Sequence, residues 1–192
     1  MSSEGGGEAD LARRAAGGDR AAFGKLVRAY GPKLSALVAA YGVPSSEAED
    51  VTQEGFIAAW RALADYDASR PFRAWLYQIA LNKARDWRRR RKVRAFFFGA
   101  VALDATEALA VEDSGPKPEA QASDANLQQI VRAAVAELPD DLKSPFLLTA
   151  FAEMTQSETA EALGISQKAV EGRLKRARIL LREKLPHLDE PS

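Results

Sequence analysis

The chain has 192 residues, 27 Lys and Arg balanced by 27 Asp and Glu, one histidine and no cysteine. The absence of cysteine excludes a disulfide framework, a thiolate zinc site and a cysteine nucleophile, and suits a reducing cytosol. No stretch approaches the roughly 18 uninterrupted apolar residues of a membrane span, and MSSEGGGEADLARRAAGGD lacks the apolar run of a signal peptide. A soluble, cytoplasmic protein without membrane insertion is therefore expected.

In chain order, residues 1–9 are Gly-rich and predict a disordered extension. From residue 10 to about 95, apolar residues recur at three and four spacing, which predicts helices. Phe23, Leu26, Val27, Tyr30, Leu34 and Val38 form the first stripe. Gly42, Val43 and Pro44 break it, and Ser45 or Ser46, followed by Glu47 and Glu49, reads as the start of a second helix reaching about Ala64. In that helix Phe56, Ala59, Trp60 and Leu63 can point inward. Asp50, Gln53, Glu54, Ile57 and Arg61 fall on another stripe. Such a stripe is either plain solvent-facing surface or, because Ile57 sits amid acids, a protein-docking surface, and periodicity alone leaves both readings open.

Asp65 to Pro71 is turn chemistry, and the next helix opens at Phe72. Trp75, Leu76, Tyr77 and Ile79 precede Asn82, Lys83, Arg85 and the run Arg88, Arg89, Arg90 and Arg91. The helix macrodipole explains one or two cations at a helix end, not a run of this length. Most of these rings are expected in the core, yet ring faces followed by cations also suit an unpaired nucleic-acid strand, the bases stacking and the backbone tracked by charge. The zero net charge thus conceals segregation: this basic block and a second one near the C-terminus flank an acidic spacer.

Residues 96–124 open with three phenylalanines and end near Gly115, Pro116, Lys117 and Pro118, the composition of a flexible linker. Helical periodicity returns over 125–187, with Pro145 marking a helix start or a kink. In TQSETAEALGISQKAVEGRLKRARILL, Thr155 or Ser157 can cap a short helix, Gly164 supplies the turn, and Ser166 caps a longer helix. This is helix-turn-helix spacing. Val170, Leu174, Ala177 and Leu181 form the buried stripe, leaving Gln167, Lys168, Arg173, Lys175, Arg176 and Arg178 outside it. Gln and Arg can pair with base edges in the major groove while other cations hold phosphate. A solvated charged helix is the plainer alternative, but here the turn and capping residues coincide with the cationic face. The fold class predicted is all-α: two small helical domains joined by a flexible linker, the second a helix-turn-helix domain.

GDRAAFGKLVRAYGPKL, EDVTQEGFIAAWRAL, FRAWLYQIALNKARDWRRRR and the helix-turn-helix, in this order, resemble the extracytoplasmic-function sigma factors of the sigma-70 family over nearly the whole chain. The resemblance implies a subunit that binds core RNA polymerase, with promoter DNA and an anti-sigma factor as further partners. DVTQE is similar to the family's polymerase-docking segment, so Asp50, Gln53, Glu54 and Ile57 become the contacts. By the same resemblance Arg61 to Pro71 and the following helix read the minus 10 element. There Asn82, Lys83 and Arg85 face the non-template strand, and Arg88, Arg89, Arg90 and Arg91 grip phosphate. Gln167, Lys168, Arg173, Lys175, Arg176 and Arg178 then lie at the minus 35 element. Glu171 and Gly172 depart from the residues many relatives carry, as do the apolar Phe96, Phe97 and Phe98.

No enzyme is expected. His187 stands beside Pro186 near the end of the chain, remote from any Ser-His arrangement, and no phosphate-cradling glycine motif or cofactor signature is present. Two rival readings are a sigma-like module that binds a regulator without forming holoenzyme, and a regulator using only its helix-turn-helix. The intact cationic faces argue against the first and the first domain against the second.

Overall fold

Helix boundaries follow local chain chemistry, with two exceptions. The computed structural model describes residues 4–97 and 119–185. Among them the elements are α1 (Glu4–Ala16), α2 (Arg20–Ala40), α3 (Ser45–Ala62), a 3₁₀ turn (Leu63–Asp65), α4 (Phe72–Phe97), α5 (Glu119–Ala136), α6 (Asp140–Ala150), α7 (Gln156–Leu163) and α8 (Gln167–Lys184). The described residues contain helices and no strands, as an all-α chain requires.

The first exception is at the N-terminus. The disordered extension expected over 1–9 is a helix from Glu4 onward, because Ala12 and Ala15 are buried against the domain and Glu8 bonds to two other helices. Helix α3 starts at Ser45 with Glu47 in its first turn, as expected; its cap is Pro44, with no side-chain cap bond. The second exception is Pro145, which lies inside α6 rather than at its start. Pro139 precedes that helix, and Asp140 and Asp141 occupy its first turn, where acids suit the positive helix end. The Thr149 hydroxyl donates to the Pro145 carbonyl at 2.9 Å.

Helices α2, α3 and α4 pack around Leu26, Leu34, Leu37, Phe56, Leu76 and Leu81, all buried. Burying each such side chain contributes about 1.5–3 kcal/mol. Helices α6, α7 and α8 form the second group around Leu142, Leu147, Leu148 and Ala177, with Ala160, Val170 and Leu174 as a small satellite cluster under the helix-turn-helix. The main apolar cluster runs without a break from the first group into the second. Gly42 sits where the two meet. It has φ +104°, and a Cβ there would lie 3.2 Å from the Ala136 Cβ, so the turn after α2 approaches the end of α5 only because it carries no side chain.

Candidate nucleic-acid interface

The helix-turn-helix is specified locally. The Thr155 hydroxyl accepts from the Glu158 amide at 3.2 Å, and Glu158 accepts from the Thr155 amide at 2.9 Å, a reciprocal capping box. Gly164 adopts the left-handed conformation, φ 64° and ψ 34°, that lets α7 end within one residue. The Ile165 amide then returns to the Ala160 carbonyl at 3.0 Å. The Ser166 hydroxyl accepts from the Ala169 amide at 3.2 Å and starts α8. Val170, Leu174 and Ala177 are buried, and Leu181 is packed against the core.

Gln167, Lys168, Lys175, Arg176 and Arg178 are exposed and Arg173 is half-buried. Helical spacing of 3.6 residues per turn sorts them further. Lys168, Lys175 and Arg176 share the face opposite the buried stripe, together with Gly172 and the exposed Ile179. Gln167, Arg173 and Arg178 flank that stripe instead. The outward face is thus cationic at its edges and uncharged along its centre, where Ile179 is exposed and Gly172 allows another backbone or base edge to come close.

On α3, Asp50, Gln53, Glu54 and Ile57 are all exposed, Ile57 by 52%, while Phe56, Ala59 and Leu63 are buried. A shallow depression between α3 and α4 is lined by Glu47, Asp50, Glu54, Trp87, Arg90 and Val93. The Trp87 indole donates to Glu47 at 2.6 Å, and Arg90 pairs with Glu54 at 3.3 Å.

The arginine run of α4 does not form one face. Successive residues turn by about 100° on a helix, and each finds a different partner. Arg88 reaches Asp140 of α6 at 3.1 Å, Arg89 reaches Asp86 at 3.3 Å, Arg90 takes Glu54, and the Arg91 guanidinium lies 5.2 Å from the centre of the Trp87 ring. This dispersal lowers the repulsion among four consecutive cations. Asn82 is exposed and accepts from Arg85 at 2.8 Å, Lys83 is half-buried, and Arg85 also reaches the Ser144 hydroxyl at 3.2 Å.

The turn before α4 is an ordered aromatic platform. Tyr66 lies 5.6 Å from Phe72 and 5.1 Å from Trp75, centre to centre, and its hydroxyl donates to the Arg70 carbonyl. The Ser69 amide closes the turn on Asp67 at 2.9 Å.

Sequence reasoning missed the contacts between the two helical groups. Arg70 donates to the Glu161 carboxylate and to its carbonyl, both at 2.8 Å, and Arg73 pairs with Glu158. Lys143, wholly buried, donates to the carbonyls of Ala136 and Tyr41. Its position amid Leu142, Phe146 and Leu147 was the available signal: a lysine on the apolar arc of a helix. Glu8 gave no signal in its Gly-rich surroundings. Phe96 is 83% exposed. Phe98 and His187 lie outside the described residues. Among the described residues no group of three or more His, Cys, Asp or Glu is placed to hold a metal ion, and no helix is long and apolar enough to cross a membrane.

Comparison with known proteins gives this geometry its context. Residues 26–94 match Sigma-70 region 2 and residues 128–181 match Sigma-70, region 4. The RNA polymerase sigma factor CnrH of Cupriavidus metallidurans is 44% identical over 172 residues, covering 89% of this chain and 90% of that protein. The ECF RNA polymerase sigma-E factor of Escherichia coli is 33% identical over 183 residues, covering 93% and 94%. The structure of CnrH in complex with the cytosolic domain of CnrY superposes with a TM-score of 0.68 at 36% identity, covering 96% of this chain and 99% of that one. The sigma factor RpoE from Bartonella quintana, in complex with the anti-sigma factor NepR, shares the fold at a TM-score of 0.67 and 20% identity, covering 88% and 98%. The chain belongs to the sigma-70 family, as an RNA polymerase sigma factor of the extracytoplasmic-function type.

Proposed function

We propose that this sigma factor docks on core RNA polymerase through Asp50, Gln53, Glu54 and Ile57 and directs it to promoters by reading two DNA elements. The polymerase-binding and minus 10 unit spans 10–95, to which α1 adds its turns, and the minus 35 unit spans 125–187, with 96–124 between them. The observation that carries the reading is α8. A helix capped at Ser166 and backed by a tight Gly164 turn presents Lys168, Lys175 and Arg176 on its outward face, the arrangement of a recognition helix in the major groove. Gln167, Arg173 and Arg178 flank it, placed for phosphate or for the outer base edges.

The minus 10 strand is read by the turn from Arg61 to Pro71 and by α4, with Asn82, Lys83, Arg85 and Arg88 to Arg91 as its polar contacts. Tyr66 and Trp75 supply ring faces of the kind on which unpaired bases stack. The chain performs no reaction of its own: strand opening draws on the energy of binding extruded bases. It works in the cytoplasm and needs no cofactor.

A protein regulator of the anti-sigma kind fits as well. The Bartonella quintana RpoE has been solved in complex with the anti-sigma factor NepR, and CnrH with the cytosolic domain of CnrY; this chain shares their fold, and its two helical groups are in contact. In that arrangement Arg70, Arg73, Arg85 and Arg88 are all engaged by α6 and α7. A partner that binds across both groups would hold those arginines away from DNA.

Run-off transcription with core polymerase on genomic fragments is the decisive experiment. Discrete transcripts that require this chain are the expected result. Their absence, with the chain folded and core active, would overturn the proposal.

A further inference from the structure

Glu8 reaches the start of α4 from sixty-five residues away in sequence. Its Oε1 accepts from the backbone amide of Arg73, the second residue of α4, at 3.1 Å. Its Oε2 accepts from the Tyr30 hydroxyl at 2.6 Å. The first amides of a helix have no partner within it. Here the Ala74 and Trp75 amides turn back to the Pro71 carbonyl at 3.1 and 3.3 Å, and Glu8 satisfies the Arg73 amide. A carboxylate at this end also complements the positive terminus of the helix dipole.

The second oxygen extends the effect. Burial, helped by the hydrogen bond to Glu8, holds the Tyr30 hydroxyl far above its ordinary pKa, so it remains a donor. The Tyr30 ring stands edge-on to Phe72 at 6.0 Å and to Tyr77 at 6.1 Å. Phe72 in turn meets Tyr66 and Trp75, and the Tyr66 hydroxyl holds the Arg70 carbonyl. One carboxylate therefore ties α1, α2 and the first turn of α4 to the platform before that helix. A free carboxylate beside a DNA strand would repel phosphate. This one has both oxygens occupied by the protein.

We infer that Glu8 is a positioning residue for minus 10 strand reading. It touches no DNA, and fixes the turn from Tyr66 to Pro71 and the entry of α4 in the shape that receives the strand. The inference rests on the minus 10 assignment proposed above.

The test uses holoenzyme assembled from the full chain and core polymerase. The probe is a labelled single-stranded oligonucleotide carrying the non-template minus 10 sequence of a promoter that the chain transcribes. Glu8→Ala weakens binding of this strand by about 5- to 30-fold, which corresponds to about 1–2 kcal/mol. Affinity for core polymerase and for a minus 35 duplex stays unchanged. Glu8→Gln, which keeps an acceptor for the Arg73 amide, recovers most of the loss, and Tyr30→Phe, which removes only the hydroxyl, falls between. Undiminished strand binding in Glu8→Ala overturns the positioning role alone, as does an equal fall in all three affinities, which would mark general destabilisation. A wild-type holoenzyme that ignores the strand overturns the minus 10 assignment, and this role with it.

Discussion

Lys143 places an ammonium group in the seam between the two helical groups, and its titration gives a measurable handle on that seam. The side chain exposes none of its surface. Nζ lies 3.4 Å from the Tyr41 carbonyl, 4.9 Å from the centre of the Tyr41 ring and 3.8 Å from the Asp140 carboxylate. Burial, and then the charge of Arg88, lower its pKa from 10.5 to about 8, and Asp140 offsets this only in part. At 1.36 kcal/mol per pKa unit, the drop corresponds to a penalty of about 3 kcal/mol on the charged form. Below pH 8 the lysine is charged in both folded and unfolded chains, so the whole penalty applies. As pH rises from 8 toward 10.5 the folded chain loses the proton first, the unfolded chain binds more protons, and stability rises. Between pH 7 and pH 9.5 this one group should add about 2 kcal/mol. Other lysines and tyrosines titrate over the same range. The measurement is therefore a difference: urea unfolding of the wild type and of Lys143→Met, at both pH values. The wild type should gain about 2 kcal/mol on the variant at the higher pH. Parallel pH profiles for the two proteins would refute the reasoning, because they would mean that the ammonium is solvated in the folded chain.

The remaining predictions concern the proposed interfaces and the motif that builds one of them. Arg173→Ala or Arg176→Ala should weaken binding of a minus 35 duplex by about 1–3 kcal/mol where the arginine reads a base; unchanged affinity in both variants, measured by anisotropy at fixed salt, removes the minus 35 assignment. Gln53→Ala combined with Glu54→Ala should reduce holoenzyme assembly in a pull-down with core polymerase while the melting temperature changes little, since both side chains are exposed and the Glu54–Arg90 pair they break lies open to solvent. Normal assembly counts against the docking stripe. Thr155→Ala removes the hydroxyl side of the capping box and should destabilise the chain by about 1 kcal/mol in urea unfolding; no loss would mean that packing alone holds α7 in place.

What the sequence made legible was whatever depends on neighbours in the chain. Thr155 with Glu158, Gly164 and Ser166 lie within twelve residues of one another, and each acts on backbone groups no more than five residues away. The helix-turn-helix was therefore readable in detail. The exposed stripe of α3 followed from periodicity in the same way. Properties that depend on distant partners were not readable. The helix at residues 4–16 has a Gly-rich start that argues against it, and it forms because Ala12, Ala15 and Glu8 meet α2 and α4. The arginine run announced a cationic site, but only the helix geometry shows that its members diverge toward Asp140, Asp86, Glu54 and Trp87. The ion pairs of Arg70 and Arg73 with α7 join residues 91 and 85 apart, beyond the reach of any local pattern.

Those two ion pairs bear on how the proposed reading can operate. Elements centred near minus 10 and minus 35 are about 25 base pairs apart, or roughly 85 Å along B-form DNA at 3.4 Å per step. Two groups that share one apolar cluster and join Arg73 to Glu158 cannot occupy both elements at once. Reading both requires the groups to separate. Separation also returns Lys143 to water, which removes its penalty, and frees Arg70, Arg73, Arg85 and Arg88. Ion pairs within reach of solvent contribute only about 0–1 kcal/mol each, and those of Arg70, Arg73 and Arg88 are only half-buried, so the shared apolar cluster with the close Gly42 contact must supply most of what resists opening. Core polymerase and promoter DNA then need only outweigh that packing, and in doing so they gain the cations that the closed chain had turned inward.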